Sequence, residues 1–249
     1  MEVKCPSCGA GVKVLEEQTF LTCEYCSSAI YVDRSMVVFH YLQNPTLDQA
    51  AAGASLRRWM AGSTTVKGLD KEARITKTEF VYFPVWYFRI KQDGNEAVRI
   101  QPASPSPIPE LKKLPISAGD LRFFNQADAG NPAIKEPHIL YTSALEWLKS
   151  EGADVSKITQ SALVHIPLYF FNYEYRNNSY NAVVDGSSSK VMTAEFPTKH
   201  EMPYLAVGGG ATILFFLEGM SLDFPEVLGV YLITAIIVTI AAVFVAEKV

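Results

Sequence analysis

Two Cys-x-x-Cys pairs within the first thirty residues constrain this chain more than any other feature. Cys5-Pro6-Ser7-Cys8-Gly9 and Cys23-Glu24-Tyr25-Cys26-Ser27 are separated by fourteen residues, and the body of the chain has no other cysteine. A two-residue gap lets one loop aim both thiolates at a single ion. The spacer is long enough for a short hairpin that brings the loops together into a tetrahedral four-sulfur site. Cys5, Cys8, Cys23 and Cys26 are therefore the expected metal ligands, with Val12–Leu15 and Thr19–Thr22 as paired strands joined across Glu16-Glu17-Gln18.

Zinc is the expected metal, because nothing else in the chain resembles redox machinery. Iron is the alternative, since Cys-Pro-x-Cys-Gly knuckles also occur in rubredoxins. Four thiolates leave no position for a metal-bound water, so the expected role is structural: holding together a segment too small for its own core. With no cysteine left for a disulfide framework, the expected setting is a reducing compartment.

Such ribbons often contact nucleic acid, and charge argues against that here. Residues 1–35 hold Lys4, Lys13 and Arg34 against Glu2, Glu16, Glu17, Glu24 and Asp33, a net of −2, and the whole chain carries −4. Phosphate binding draws its affinity from clustered cations, which this head lacks.

The far end of the chain sets the second constraint. Val227–Ala246 is a run of twenty residues without a charge, and no Lys or Arg occurs from Glu201 to Glu247. As a helix rising about 1.5 Å per residue, that run covers a hydrocarbon core of roughly 30 Å. A shorter apolar run, Tyr204–Leu217, precedes it. The expectation is a hairpin of two spans, about 203–220 and 226–246, within a membrane anchor at 201–249. Lys199 and Lys248 flank the pair and the loop between is acidic, so the positive-inside rule places both ends in the cytosol.

Between head and tail, residues 36–200 read as a duplicated α+β body. Phe80–Phe88 (FVYFPVWYF) aligns with Leu163–Phe171 (LVHIPLYFF) at a constant offset. A helix with a tryptophan precedes each run, Trp59 in one and Trp147 in the other. A further extended segment follows each, near Glu96–Ile100 and Tyr180–Val184, giving repeats of about 46–125 and 140–197. Thr46-Leu47-Asp48-Gln49 reads as a capping box opening a helix through about Ala61, with Leu47, Ala50, Ala54 and Trp59 on its apolar face. Asn177-Asn178 and Asp185-Gly186-Ser187 are turn signals, and the proline-rich Gln101–Pro109 is a connector.

The sequence nominates no catalytic residue and no small-molecule substrate. His40, His138, His165 and His200 are far apart along the chain, and His165 lies in an aromatic strand as a packed side chain. Gly208-Gly209-Gly210 has neither the preceding strand nor the following lysine of a phosphate loop.

In block order the chain resembles prokaryotic membrane proteins with a transcription-factor-IIB-type zinc ribbon, sometimes labelled primosomal-helicase-like. The resemblance rests on the two knuckles, on Phe83-Pro84-Val85-Trp86-Tyr87 and Ile166-Pro167-Leu168-Tyr169, and on Tyr180–Pro197 ahead of the hydrophobic tail. Ser27 departs from the pattern, standing where a glycine is usual. The resemblance implies a non-enzymatic partner of band-7 (SPFH, flotillin-like) membrane scaffolds. The expected architecture is thus α+β: a rubredoxin-like zinc ribbon (1–35), a duplicated helix-plus-antiparallel-strand body (36–200) and a transmembrane hairpin. The expected protein is an adaptor at the inner (plasma) membrane, bound to the bilayer and to a protein partner. The alternatives are a membrane-tethered nucleic-acid binder and a rubredoxin-like electron carrier.

Overall fold

The computed structural model describes residues 2–15, 18–33, 36–92, 94–106, 108–116, 120–125, 133–198, 202–221, 224 and 226–248. The fold is mixed α+β and divides into two compact units. One comprises Met1–Trp59 with Ala73–Phe196, the other Met60–Glu72 with Pro197–Val249.

The first unit begins with β1 (Glu2–Lys4) and β2 (Gly11–Lys13), which pair only with each other, and continues into β3 (Phe20–Thr22), β4 (Ala29–Asp33) and β5 (Met36–Gln43). Helix α1 (Gln49–Met60) leads to the long strand β6 (Arg74–Gln92) and β7 (Asn95–Pro102). After the short strands β8 (Leu121–Phe123) and β9 (Ala133–Ile134) come helix α3 (Tyr141–Ser150), the long strand β10 (Ile158–Tyr175), β11 (Asn178–Asp185) and β12 (Val191–Thr193).

Strands β6 and β10 form the spine, antiparallel from Arg74 opposite Glu174 to Ile90 opposite Ile158. Their central residues are buried on both faces, so the strands read as unbroken apolar runs rather than as an alternation. Phe83, Val85, Tyr87, Val164, Ile166 and Leu168 point to a face covered by Ile108, Leu111, Leu114 and Ile116. Trp86, Phe88, Ile90 and Leu163 point to the other, covered by Tyr141, Ala144 and Leu148 of α3. The outer edge of β10 carries β11 antiparallel and β5 parallel, while that of β6 carries β7 antiparallel and β9 parallel. The Arg176-Asn177 turn joins β10 to β11, with φ of 47° and 64° at its two residues. The turn thus sits one residue before the expected Asn177-Asn178, since Asn178 already pairs with Tyr175 as the first residue of β11.

Two further local expectations are corrected. The segments around Val12 and Phe20 do not form one hairpin across the spacer. β2 pairs with β1 and β3 with β4, so each Cys-x-x-Cys loop is itself the turn of its own hairpin. The knuckle already reverses the chain, and the flanking residues pair across it. The cap of α1 is Asp48, not Thr46. Asp48 Oδ1 accepts from the Ala51 amide at 2.8 Å, while the Thr46 hydroxyl donates to Ser187 O at 2.7 Å in the β11–β12 turn. The buried face of α1 is Ala52, Ser55, Leu56 and Met60, leaving Ala50 and Ala54 exposed. Alanines carry too little apolar area to orient a helix against leucine and methionine.

In the second unit, the Thr65 hydroxyl donates to Met60 O at 2.6 Å and Thr65 bridges Thr198, after which comes the single-turn helix α2 (Leu69–Glu72). Helices α4 (Met202–Ser221) and α5 (Glu226–Lys248) complete the unit. The two meet where Tyr231 donates to Phe215 O at 3.0 Å, ring against ring, and where the Thr234 hydroxyl donates to the Glu218 carboxylate. Among the described residues only α5, over Glu226–Val245, is both long and apolar enough to cross a membrane. The apolar part of α4 is shorter, Leu205–Ser221. The outward side chains of α5 are bare, with Leu232 at 69% and Ile240 at 65% exposure.

Candidate metal centre

The first knuckle is closed by two backbone hydrogen bonds, Gly9 N–H to Cys5 O (2.9 Å) and Cys5 N–H to Ala10 O (2.8 Å). The second repeats the pattern: Ser27 N–H to Cys23 O (2.9 Å) and Cys23 N–H to Ser28 O (2.9 Å). The turn needs a left-handed residue after the second cysteine of each pair. Gly9 supplies it at φ 75° without strain, and Ser27 supplies it at φ 59° with a side chain attached.

These two turns face each other, and all four Sγ atoms lie within 4.8 Å of one another. Cys5 Sγ is 3.6 Å from Cys26 Sγ, and Cys8 Sγ is 3.8 Å from Cys23 Sγ. A tetrahedral ion with metal–sulfur bonds of about 2.3 Å requires edges of about 3.8 Å. The donor set therefore fits one tetrahedral metal ion held by Cys5, Cys8, Cys23 and Cys26. Cys5 and Cys23 are buried in a small apolar cluster with Val12, Val14, Ile30 and Val32, while Cys8 is exposed.

The thiols are unequal as proton carriers. The Ser28 hydroxyl, 3.3 Å from Cys26 Sγ, and the Ser28 amide favour the Cys26 thiolate and lower its pKa to about 6. At Cys8 the Ala10 amide pulls down, but desolvation and the three neighbouring sulfurs prevail and push the thiol up to about 12. Metal binding takes thiolates rather than thiols, so a bound cation would displace the thiol protons of this cluster.

The structure also brings together two residues that the sequence separates by more than a hundred positions. His40 Nε2 and His165 Nδ1 are 3.0 Å apart, and both rings are buried. His165 is packed in its strand as expected; its contact with His40 has no local sequence signal, because it depends on β5 lying parallel to β10. His138 is exposed on its own loop and His200 lies outside the described residues. Asp185-Gly186-Ser187 is a turn: the Asp185 carboxylate accepts from the Ser187 amide (3.0 Å) and from the Ser187 and Ser188 hydroxyls. Gly208-Gly209-Gly210 lies inside α4.

Comparison of the chain with protein-family models, with curated proteins and with solved structures gives no match.

Proposed function

We propose that the protein is a non-enzymatic adaptor whose zinc-bound head docks a protein partner at the cytosolic face of the membrane that its C-terminal helices anchor. The observation that carries this reading is the surface of the head. Leu15, next to Val14 of the cysteine-bearing cluster, and Tyr25, within the second knuckle, stand 76% and 71% exposed, large side chains open to solvent among the described residues. Zinc is the metal that suits four thiolates in a closed tetrahedron, with no ligand position left for chemistry.

In this reading α4 and α5 form a two-span hairpin with both chain ends cytosolic, as Lys199 and Lys248 favour. Tethering restricts the head to the membrane surface and raises its effective concentration near other membrane proteins. The body is a duplicated unit. In support, β7 meets β6 and β11 meets β10 in the same register once the offset between Phe80 and Leu163 is applied. The parallel pairings of β9 to Val81-Tyr82 and of β5 to Val164-His165 also correspond. The resemblance to ribbon-bearing membrane proteins makes an SPFH (band-7) oligomer the favoured partner.

The test is affinity capture of the full chain from gently solubilised membranes. Recovery of a stoichiometric SPFH-type oligomer, lost in a Leu15→Glu/Tyr25→Ser variant that keeps its metal, supports the reading. Recovery of the chain alone under the same conditions overturns it.

A further inference from the structure

Strands β4 and β8 share one edge of β5, β4 ending its pairing at Phe39 and β8 beginning at Tyr41. His40 sits at the break between them, where the Phe124 amide donates to its carbonyl at 2.9 Å. A cavity of about 470 Å³ opens at this break, walled by Phe20, Thr22, Ser27, His40, Phe124 and Asn125 among others. Its size falls within the roughly 300–1,000 Å³ of small-molecule sites.

The proton positions at the cavity follow from one contact at the back of the histidine pair. His165 Nε2 is 3.1 Å from the Lys135 carbonyl, which can only accept, so Nε2 carries a hydrogen. Burial pushes the His165 pKa down to about 4 and that of His40 well below its usual value, so both rings are neutral near pH 7. His165 Nδ1 is then an acceptor and His40 Nε2–H donates to it. That leaves His40 Nδ1 with a lone pair, held in one tautomer by a relay ending on a backbone carbonyl. Fixing one ring nitrogen to define the other is how imidazoles are tuned as acceptors.

The rest of the wall is aromatic and uncharged. Phe124 stacks on His40 with ring centres 4.0 Å apart and planes 15° apart, and Phe20 lies 5.1 Å from the same ring. Thr22, Ser27 and Asn125 add polar groups, and none of the described lining residues carries a formal charge. Such a wall gives an ionic ligand no counter-charge, and it rewards a flat molecule with one well-placed hydrogen-bond donor.

We propose that this cavity binds a small, uncharged, planar heteroaromatic compound whose N–H donates to His40 Nδ1 while its ring packs against Phe20 and Phe124. The cavity borders the second knuckle through Thr22 and Ser27, but none of the four cysteines and neither Leu15 nor Tyr25 lines it.

The probes are indole and benzothiophene, which share a bicyclic shape but differ in that sulfur replaces the N–H. Each is titrated into the full-length protein in detergent, followed by ligand-observed NMR. Indole is expected to bind at least tenfold tighter than benzothiophene, and His40→Phe, which keeps the stacked ring and removes the acceptor, to abolish that preference. Equal affinity for the two probes, a preference that survives in His40→Phe, or binding of neither probe overturns the proposal. A wild-type measurement covers failure of the variant to fold: imidazole ¹⁵N spectra should show both rings as neutral Nε2–H tautomers, with His40 Nδ1 shifting on addition of indole and not of benzothiophene. A charged ring, the opposite tautomer, or a His40 Nδ1 signal that ignores indole likewise overturns it.

Discussion

Ser27 is the residue at which local backbone chemistry and metal binding meet. Its left-handed φ of 59° is imposed by the knuckle, whose amide must reach Cys23 O. That conformation costs a residue with a Cβ roughly 1–2 kcal/mol, against about 0.5–1 kcal/mol for the extra freedom a glycine loses on folding. Ser27→Gly is therefore expected to stabilise the metal-loaded protein by about 0.5–1 kcal/mol, seen as a higher midpoint in thermal unfolding followed by circular dichroism. An unchanged or lower midpoint would show that the serine side chain is worth more than the strain. The histidine pair sets a pH dependence with a definite sign. His165 has a folded pKa near 4 and an ordinary value of 6.5, so between these values the unfolded chain takes up a proton that the folded one refuses. Stability is full above about pH 6.5 and declines as pH falls, by about 2 kcal/mol at pH 5 from His165 alone. His40 is displaced in the same direction. Chemical denaturation at pH 7 and pH 5 reads this loss, which should shrink in His165→Gln.

Among the elements, the long strands were the most legible in the sequence and their neighbours the least. The aromatic runs around Trp86 and Tyr169 announce buried strands by composition alone, and both lie in the centres of β6 and β10. The parallel entry of β5 and β9 beside them has no such signal, since that pairing depends on chain topology rather than on local pattern. The face of α1 was misread for a related reason: alanines suggested a stripe, whereas Leu56 and Met60 carry the buried area. Helix α1 also offers a clean test of its cap. Asp48→Ala removes the acceptor of the Ala51 amide and is expected to cost about 1 kcal/mol, while Thr46→Ala leaves that bond in place. Within the spine, Trp86 is fully buried against Tyr31 and Tyr141 and donates to Ile139 O at 2.8 Å. Trp86→Ala should cost about 3–5 kcal/mol in urea unfolding, the range for emptying an aromatic core position.

For the whole molecule, the four cysteines and the apolar tail were readable because each follows a rule of spacing or length that does not need the rest of the fold. The convergence of the sulfurs bears out the compatibility of the set with a metal, and the hairpins that position them differ from the pairing expected. The cavity beside His40 was invisible to sequence reading, because its walls come from four separate segments. Helix α5 is the candidate membrane span, and the proposed anchoring rests on it. An Ile236→Arg substitution near the middle of its apolar run is expected to cost about 2.5–3.5 kcal/mol of insertion, lowering the fraction of chain retained by alkaline-washed membranes. The most direct measurement is the metal content of full-length protein extracted by detergent from such membranes and purified without added metal. One zinc per chain, falling to none in Cys23→Ser, is the expected result; a metal-free or iron-loaded chain would contradict a zinc-held head on a membrane anchor.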